Sequence, residues 1–251
     1  MAGRRVTRRQ VVFGICSSLG LGPLNTSIAA QRYIFVTAEV PPYSLPSDEG
    51  RTGFVIDVVR ELLSRLGAPL EIVSLPWRRA METLKQGENV LMAPLARTPD
   101  REKRYKWVVP ILTEEVRLFT IDDGPVLTLE AARKLPSITV QGGSAMEELG
   151  IRLGLQSLDV APDNFSMVKM LAYGNSNAMI SFKMLALRSM EREGLDPKRL
   201  VPGVVLDRFD VSIAATLETP EEIPQPIREA FDVMRSDGSL QTILERYGLG
   251  S

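Results

Sequence analysis

Histidine is absent from the 251 residues, and the single cysteine, Cys16, lies within the first 30. Beyond that point the chain has no disulfide, no thiol nucleophile, no histidine-based triad and few of the ligands that zinc sites use. No metal and no cofactor are expected. A long apolar run is also missing. The most apolar stretch, Val11 to about Leu24, is too short for a comfortable membrane span. Excess positive charge is lacking too. The whole chain is nearly balanced, but Arg4, Arg5, Arg8 and Arg9 all fall in the first 30 residues, which hold no acid. The remainder has 26 basic against 31 acidic residues, a net charge of −5. That sign argues against nucleic acid and against an anionic membrane surface. No long heptad pattern appears, so a monomer is expected.

What is present begins with "MAGRRVTRRQVVFGICSSLGLGPLNTSIAAQ", a basic leader, an apolar stretch and a small-residue end. This is the architecture of a secretory signal peptide over residues 1–30, with cleavage expected after Ala29 or Ala30 and a periplasmic destination. "TRRQVV" resembles the twin-arginine export motif, although Val11 and Val12 replace the usual Phe-Leu and no lysine follows. An N-terminal membrane anchor is the alternative. Cys16 sits mid-stretch after Ile15, which argues against a lipoprotein anchor. An exported chain without histidine or cysteine points to a binder rather than a hydrolase.

With 44% hydrophobic residues the chain can bury one large core or two moderate ones. The first part alternates strand and helix. "YIFVT" (33–37) is followed by "FVIDVVRELLSRLG", whose Val55, Val58, Val59, Leu62, Leu63 and Leu66 form one apolar face. "LEIVS" (70–74), a Pro76-initiated helix closed by Gly87, and the strand "NVLMAPL" come next. "TPDRE" reads as the opening of a short helix, with Thr98 as cap and Pro99 as first residue. The pattern then repeats through "SITVQ" (137–141), "LDVA" (158–161) and "NAMIS" (177–181), each followed by a helix. "EVRLFTI" (115–121) and "FDVSIAAT" (209–216) lie between the units, and two helices close the chain, joined at Asp237-Gly238. Such alternation predicts α/β lobes built on parallel strands. Two lobes joined by two crossing strands would leave a cleft between them, with lobe 1 at 31–115 plus 212–251 and lobe 2 at 116–211. "PLARTPDR" and "QGGS" each end a strand, where open α/β sheets hold ligands.

"EVPPYS", "GFVIDVV", "PWRRAMETLKQG" and "RTPDREKRYKWVVPI", in that order and at natural spacing, resemble family 3 of the bacterial extracellular solute-binding proteins. The likeness runs from about residue 33 to residue 247 and is looser in the second half. It implies the two-lobed periplasmic-binding-protein fold of type II, closing on a small ligand by hinge motion. It also implies a receptor role beside an amino-acid-type ABC permease in the membrane, and no chemistry. In the family the arginine of the "RTPDR" motif forks onto the ligand's carboxylate, and the matching residue is Arg101. A solvated ion pair with Asp100 or Glu102 is the alternative. Arg97 is a lesser ligand candidate that could instead buttress the loop. The amides of Ala96 and Thr98 are possible donors to the anion.

From the second lobe, "VQGGSAME" matches the family's short loop whose amides and hydroxyl meet the same carboxylate. Gly142 and Gly143 would admit the backbone and Ser144 would supply a hydroxyl at a helix start. The alternative is a glycine turn with Ser144 as a cap and nothing bound. Tyr43 and Trp77 are expected as aromatic walls, although a tryptophan in a helix's first turn can equally be packing, and Trp107 is expected in the core. Glu39 could receive a ligand ammonium or neutralise Arg79 or Arg97. Relatives that bind α-amino acids carry an aspartate after the last strand of the second lobe, and Phe182 stands there in this chain. A phenyl ring offers a cation only a π contact. The expected ligand is therefore a small carboxylate, an amino acid or a related organic acid. Two other functions compete: a dehydratase-like enzyme on the same scaffold, which needs a general acid in the cleft, and a ligand-sensing partner of a membrane receptor.

Overall fold

A computed structural model of the chain describes residues 33–45 and 52–249. The expected signal peptide and its cleavage point fall outside them. None of the described helices is long and apolar enough to cross a membrane.

Strand β1 (Tyr33–Thr37) lies between β2 (Leu70–Ser74) and β3 (Val90–Arg97), parallel to both. Helices α1 (Phe54–Arg65) and α2 (Trp77–Gln86) make the crossovers. The periodic face of α1 buries Phe54, Val55, Val58, Val59, Leu62 and Leu63 completely or nearly so. Each such side chain contributes roughly 1.5–3 kcal/mol. Gly53 starts this helix with φ 84°, and a Cβ there would meet the Tyr43 carbonyl oxygen at 2.4 Å. Only glycine allows that approach. It lets the amides of Phe54 and Val55 donate to the carbonyls of Pro42 and Tyr43, which fixes the loop that carries Tyr43.

After β4 (Tyr105–Ile121) and the short helix α3 (Leu129–Ala132), the second lobe repeats the plan. Strand β5 (Ile138–Gln141) is parallel to both β6 (Leu158–Ala161) and β7 (Ala178–Phe182), with helices α4 (Ala145–Arg152), α5 (Asn164–Ala172) and α6 (Lys183–Arg192) as connections. Strand β8 (Leu200–Thr216) returns antiparallel to β4, and helices α7 (Pro224–Ser236) and α8 (Ser239–Arg246) pack back against α1. The sheet order is β2-β1-β3-β8-β4-β7-β5-β6. Two parallel units thus flank one long antiparallel pair, giving the type II two-lobed α/β fold. A separate cluster of Phe119, Met167, Leu171, Met179 and Met190 fills the space beneath α5 and α6.

Two details depart from the sequence reading. Strands β4 and β8 are 17 residues each, longer than the segments recognised at 115–121 and 209–216. Pro110 masks the continuity of β4; it is exposed and lies where the register shifts, the kind of position at which a strand tolerates proline. Residues 98–104 form successive turns, not a helix, with Arg101 N–H donating to the Thr98 carbonyl and Arg104 N–H to the Arg101 carbonyl. The chain must re-enter the sheet at Tyr105, which leaves no length for a helix.

Candidate functional site

The carboxyl ends of β3, β5 and β7 and the loop after β1 converge on a single cavity of about 40 Å³. That is small beside the roughly 300–1,000 Å³ of ordinary ligand pockets. The lobes are closed on one another. Of the residues expected at a site, Arg101, Ser144, Tyr43, Trp77, Ala96 and Phe182 line this cavity together.

Arg101 is fully buried, the largest side chain among the described residues to be so. Its Nε donates to the Glu148 carboxylate on α4 at 2.9 and 3.2 Å, and one terminal nitrogen, Nη2, donates to the Gly143 carbonyl at 3.2 Å. The other terminal nitrogen, Nη1, is buried without a hydrogen-bond partner. A guanidinium withdrawn from water needs its donors met. Here Glu148 supplies the charge, and the N–H groups of Nη1 stay open on a residue that lines the cavity. The neighbours proposed as an alternative pair are engaged elsewhere: Asp100 with Arg152 at 2.5 Å, and Glu102 with Arg97.

The loop at 142–144 faces Arg101. A Cβ on Gly142 would meet the Arg78 guanidinium at 2.3 Å and Val160 Cγ1 at 2.7 Å, so any side chain there would have to displace both. Gly143 has φ 71° and its carbonyl accepts from Trp77 Nε1 at 3.0 Å as well as from Arg101. The Gly143 amide, expected to face an anion, instead donates to the Glu147 carboxylate at 2.6 Å. Ser144 Oγ accepts from the amides of Met146 and Glu147 and caps α4. In the closed arrangement the loop therefore turns a carbonyl toward Arg101, because Glu147 folds back over the amide.

Tyr43 and Phe182 approach from opposite lobes, with ring centroids 6.3 Å apart, and Phe54 backs Tyr43 at 5.2 Å. Behind Tyr43, on β4, lies Glu114, 9% exposed. Tyr43 Oη and the two Glu114 oxygens are buried without a hydrogen bond of regular geometry. Burial, and then the neighbouring carboxyl, raise the Tyr43 phenol well above its usual range. Burial pushes Glu114 up to about 7, with the phenol opposing.

Two predicted residues stand apart. Glu39 is paired with Arg192 of α6 at 2.6 Å and does not line the cavity; its expected partners were Arg79 or Arg97. Arg97 is exposed, forks onto Glu102, and stacks over Trp107 at 5.5 Å in a separate surface depression. Trp107 itself is half-buried against the core. Among the described residues no group of three or more His, Cys, Asp or Glu side chains is placed to hold a metal ion.

The sequence description "Bacterial extracellular solute-binding proteins, family 3" matches residues 33–250. The chain belongs to that family. Solute binding in an extracellular setting characterises the family. Among its relatives is the "Probable amino-acid-binding protein YxeM" of Bacillus subtilis (strain 168), 17% identical over 86% of this chain and 83% of that protein. Two solved structures share the fold. A histidine kinase sensor domain with similarity to periplasmic binding proteins has a TM-score of 0.77 at 18% identity, over 86% of this chain and 96% of its own. The ancestral amino acid-binding protein AncCDT-1, a precursor of cyclohexadienyl dehydratase, has a TM-score of 0.73 at 20% identity, over 86% and 94%.

Several cavity residues escaped the sequence reading, among them Gln141, Met146, Leu185 and Val211. Gln141 had a signal: it ends a strand directly before "GGS", and its Oε1 accepts from Asn164. Glu114 had one as well. Period-2 alternation places it on the same face as Val116 and Leu118, both fully buried.

Proposed function

We propose that this solute-binding protein captures a small carboxylate-bearing solute, an amino acid or related organic acid, for an ABC importer. In this reading it is exported by its twin-arginine-like leader, acts in the periplasm as a monomer, and performs no chemistry. Lobe 1 (31–115 plus 212–251) and lobe 2 (116–211) would close on the solute by bending β4 and β8. The observation that carries the reading is Arg101: a fully buried guanidinium on the cavity wall with an unpartnered terminal nitrogen. When the lobes part, the Gly143 carbonyl withdraws from Nη2, and both terminal nitrogens become available to a carboxylate as two parallel donors. Ser144 Oγ retains its own proton to donate to the same anion, since capping uses only its lone pairs. Tyr43, Trp77 and Phe182 would hold the solute's carbon skeleton.

The test is a thermal-shift screen of amino acids, dicarboxylates, aromatic acids and short peptides, followed by calorimetry of the hits. A hit should raise the melting temperature, and Arg101→Ala should remove about 2–5 kcal/mol of its binding. Unchanged affinity in a folded Arg101→Ala variant would refute the assignment. Mass spectrometry of the same mixtures checks the receptor reading against a dehydratase, because a receptor returns its solute intact.

A further inference from the structure

Hydrogen-bonding capacity around the cavity runs in one direction. Arg101 carries donors only, and its Nη1 is open. Ser144 gives its lone pairs to the amides of Met146 and Glu147, which leaves the hydroxyl proton. Gln141 accepts from Asn164 Nδ2 at 3.0 Å through Oε1, so its remaining offer is the N–H groups of its amide. The polar atoms of the aromatic walls are turned to other partners: Trp77 Nε1 donates to the Gly143 carbonyl, and the Tyr43 hydroxyl faces Glu114. The Val40 carbonyl accepts from the amides of Tyr43 and Ser44. Met146, Phe182, Leu185 and Val211 add apolar surface.

Among the described residues no Asp or Glu lines the cavity. The acids adjoining it are engaged. Glu39 pairs with Arg192, Glu147 takes the Gly143 amide, and Glu114 lies behind the Tyr43 ring. Glu148 is shared by Arg101 at 2.9 Å and Arg104 at 3.9 Å. Two cations against one carboxylate leave a single positive charge at that end of the cavity, which one solute carboxylate would meet.

We infer that the solute is an apolar monocarboxylate without an ammonium group, its carboxylate taking the donors of Arg101, Ser144 and Gln141 and its aliphatic or aromatic tail packing against Tyr43, Trp77, Phe182 and Leu185. The inference rests on Arg101 being the carboxylate site, and it narrows the solute proposed above to the organic acid. A zwitterion would bring its ammonium into a space with no acceptor to receive it. Closure of the lobes would strip that ammonium of water and return nothing. An acid of the same skeleton loses no polar contact in the same step. Selection thus comes from rejecting the amine, not from a stronger hold on the acid. Gln141 becomes a specificity-determining residue, because a carboxylate of the same size at its position would accept the ammonium that its amide cannot.

Calorimetry with matched pairs decides the matter: 3-methylbutanoate against L-valine, 4-methylpentanoate against L-leucine, and 3-phenylpropanoate against L-phenylalanine. At neutral pH at least one acid should bind about tenfold or more tighter than its amino counterpart, a difference of about 1.4 kcal/mol, and no pair should run the other way. Arg101→Ala should weaken every acid that binds. Gln141→Glu keeps the length of the side chain and an oxygen for Asn164 while adding negative charge to the wall. It should weaken the acid and narrow or reverse the preference. Equal binding within the pairs, or tighter binding of the amino acid, overturns the amine-free class and leaves the Arg101 site standing. A preference unchanged in folded Gln141→Glu overturns the role given to Gln141; should that variant not fold, the wild-type pairs decide the class alone. An acid bound equally well by Arg101→Ala contradicts the carboxylate site itself. If none of the six probes binds, the class is overturned, and the wider thermal-shift screen with Arg101→Ala still decides the carboxylate site.

Discussion

Arg97 and Arg101 belong to one short motif, "RTPDR", and end in opposite environments. Arg97 closes β3 on the solvent side, forked onto Glu102 and lying over Trp107. Hydrogen bonding to Arg97 lowers the Glu102 pKa, which satisfies both charges locally at the surface. Arg101 sits in the next turn, fully buried, and must reach across the cleft to Glu148 and Gly143 for its partners. A guanidinium satisfied by its own neighbour has nothing left to recognise. One whose partners belong to the other lobe changes its bonding when the lobes move, and that property makes it useful to a receptor.

The largest effect is expected from Arg101→Ala, about 2–5 kcal/mol of solute affinity in calorimetry, with circular dichroism unchanged. Arg101→Lys should recover only part of it, because an ammonium cannot fork. Glu114→Gln comes next, read as the pH dependence of the melting temperature. The folded protein keeps the Glu114 proton where the unfolded chain has released it, so stability should fall as pH rises from about 4.5 toward 7. The loss above that window is on the order of 3 kcal/mol, and the variant should lack this component of the slope. A variant whose pH profile coincides with that of the wild type would contradict the buried-acid description. Glu148→Gln should destabilise the closed form by roughly 1–3 kcal/mol, less than for a pair buried on both sides, since Glu148 is 23% exposed. Small-angle scattering of the solute-free protein would then show a more open average shape. The smallest effect belongs to Arg97→Ala, which should change solute affinity by about twofold or less, as loss of an exposed pair does.

Much of the fold was legible because it is written in local patterns. The strand–helix alternation, the Val55-to-Leu63 face of α1, and the Pro76 and Gly87 punctuation of α2 each follow from neighbouring residues. The cavity was legible in part for the same reason: Arg101 and Ser144 follow strand ends, and strand ends face the cleft. What escaped depends on pairs far apart in sequence. The Arg101–Glu148 contact spans 47 residues, and no local pattern announces it. Glu39 reads as an open carboxylate at a strand end until α6 brings Arg192 to it. The Gly143 amide reads as an anion donor until Glu147 folds back over it. Residues 98–104 read as a helix start because capping residues also begin turns, and only the return at Tyr105 decides between the two.

The most direct test is a paired calorimetric titration of Arg97→Ala and Arg101→Ala with the tightest-binding acid from the screen. Near wild-type affinity is predicted for the first and binding weaker by about 2–5 kcal/mol for the second, both variants being folded. Comparable affinities in the two variants, or a loss confined to Arg97→Ala, would contradict it.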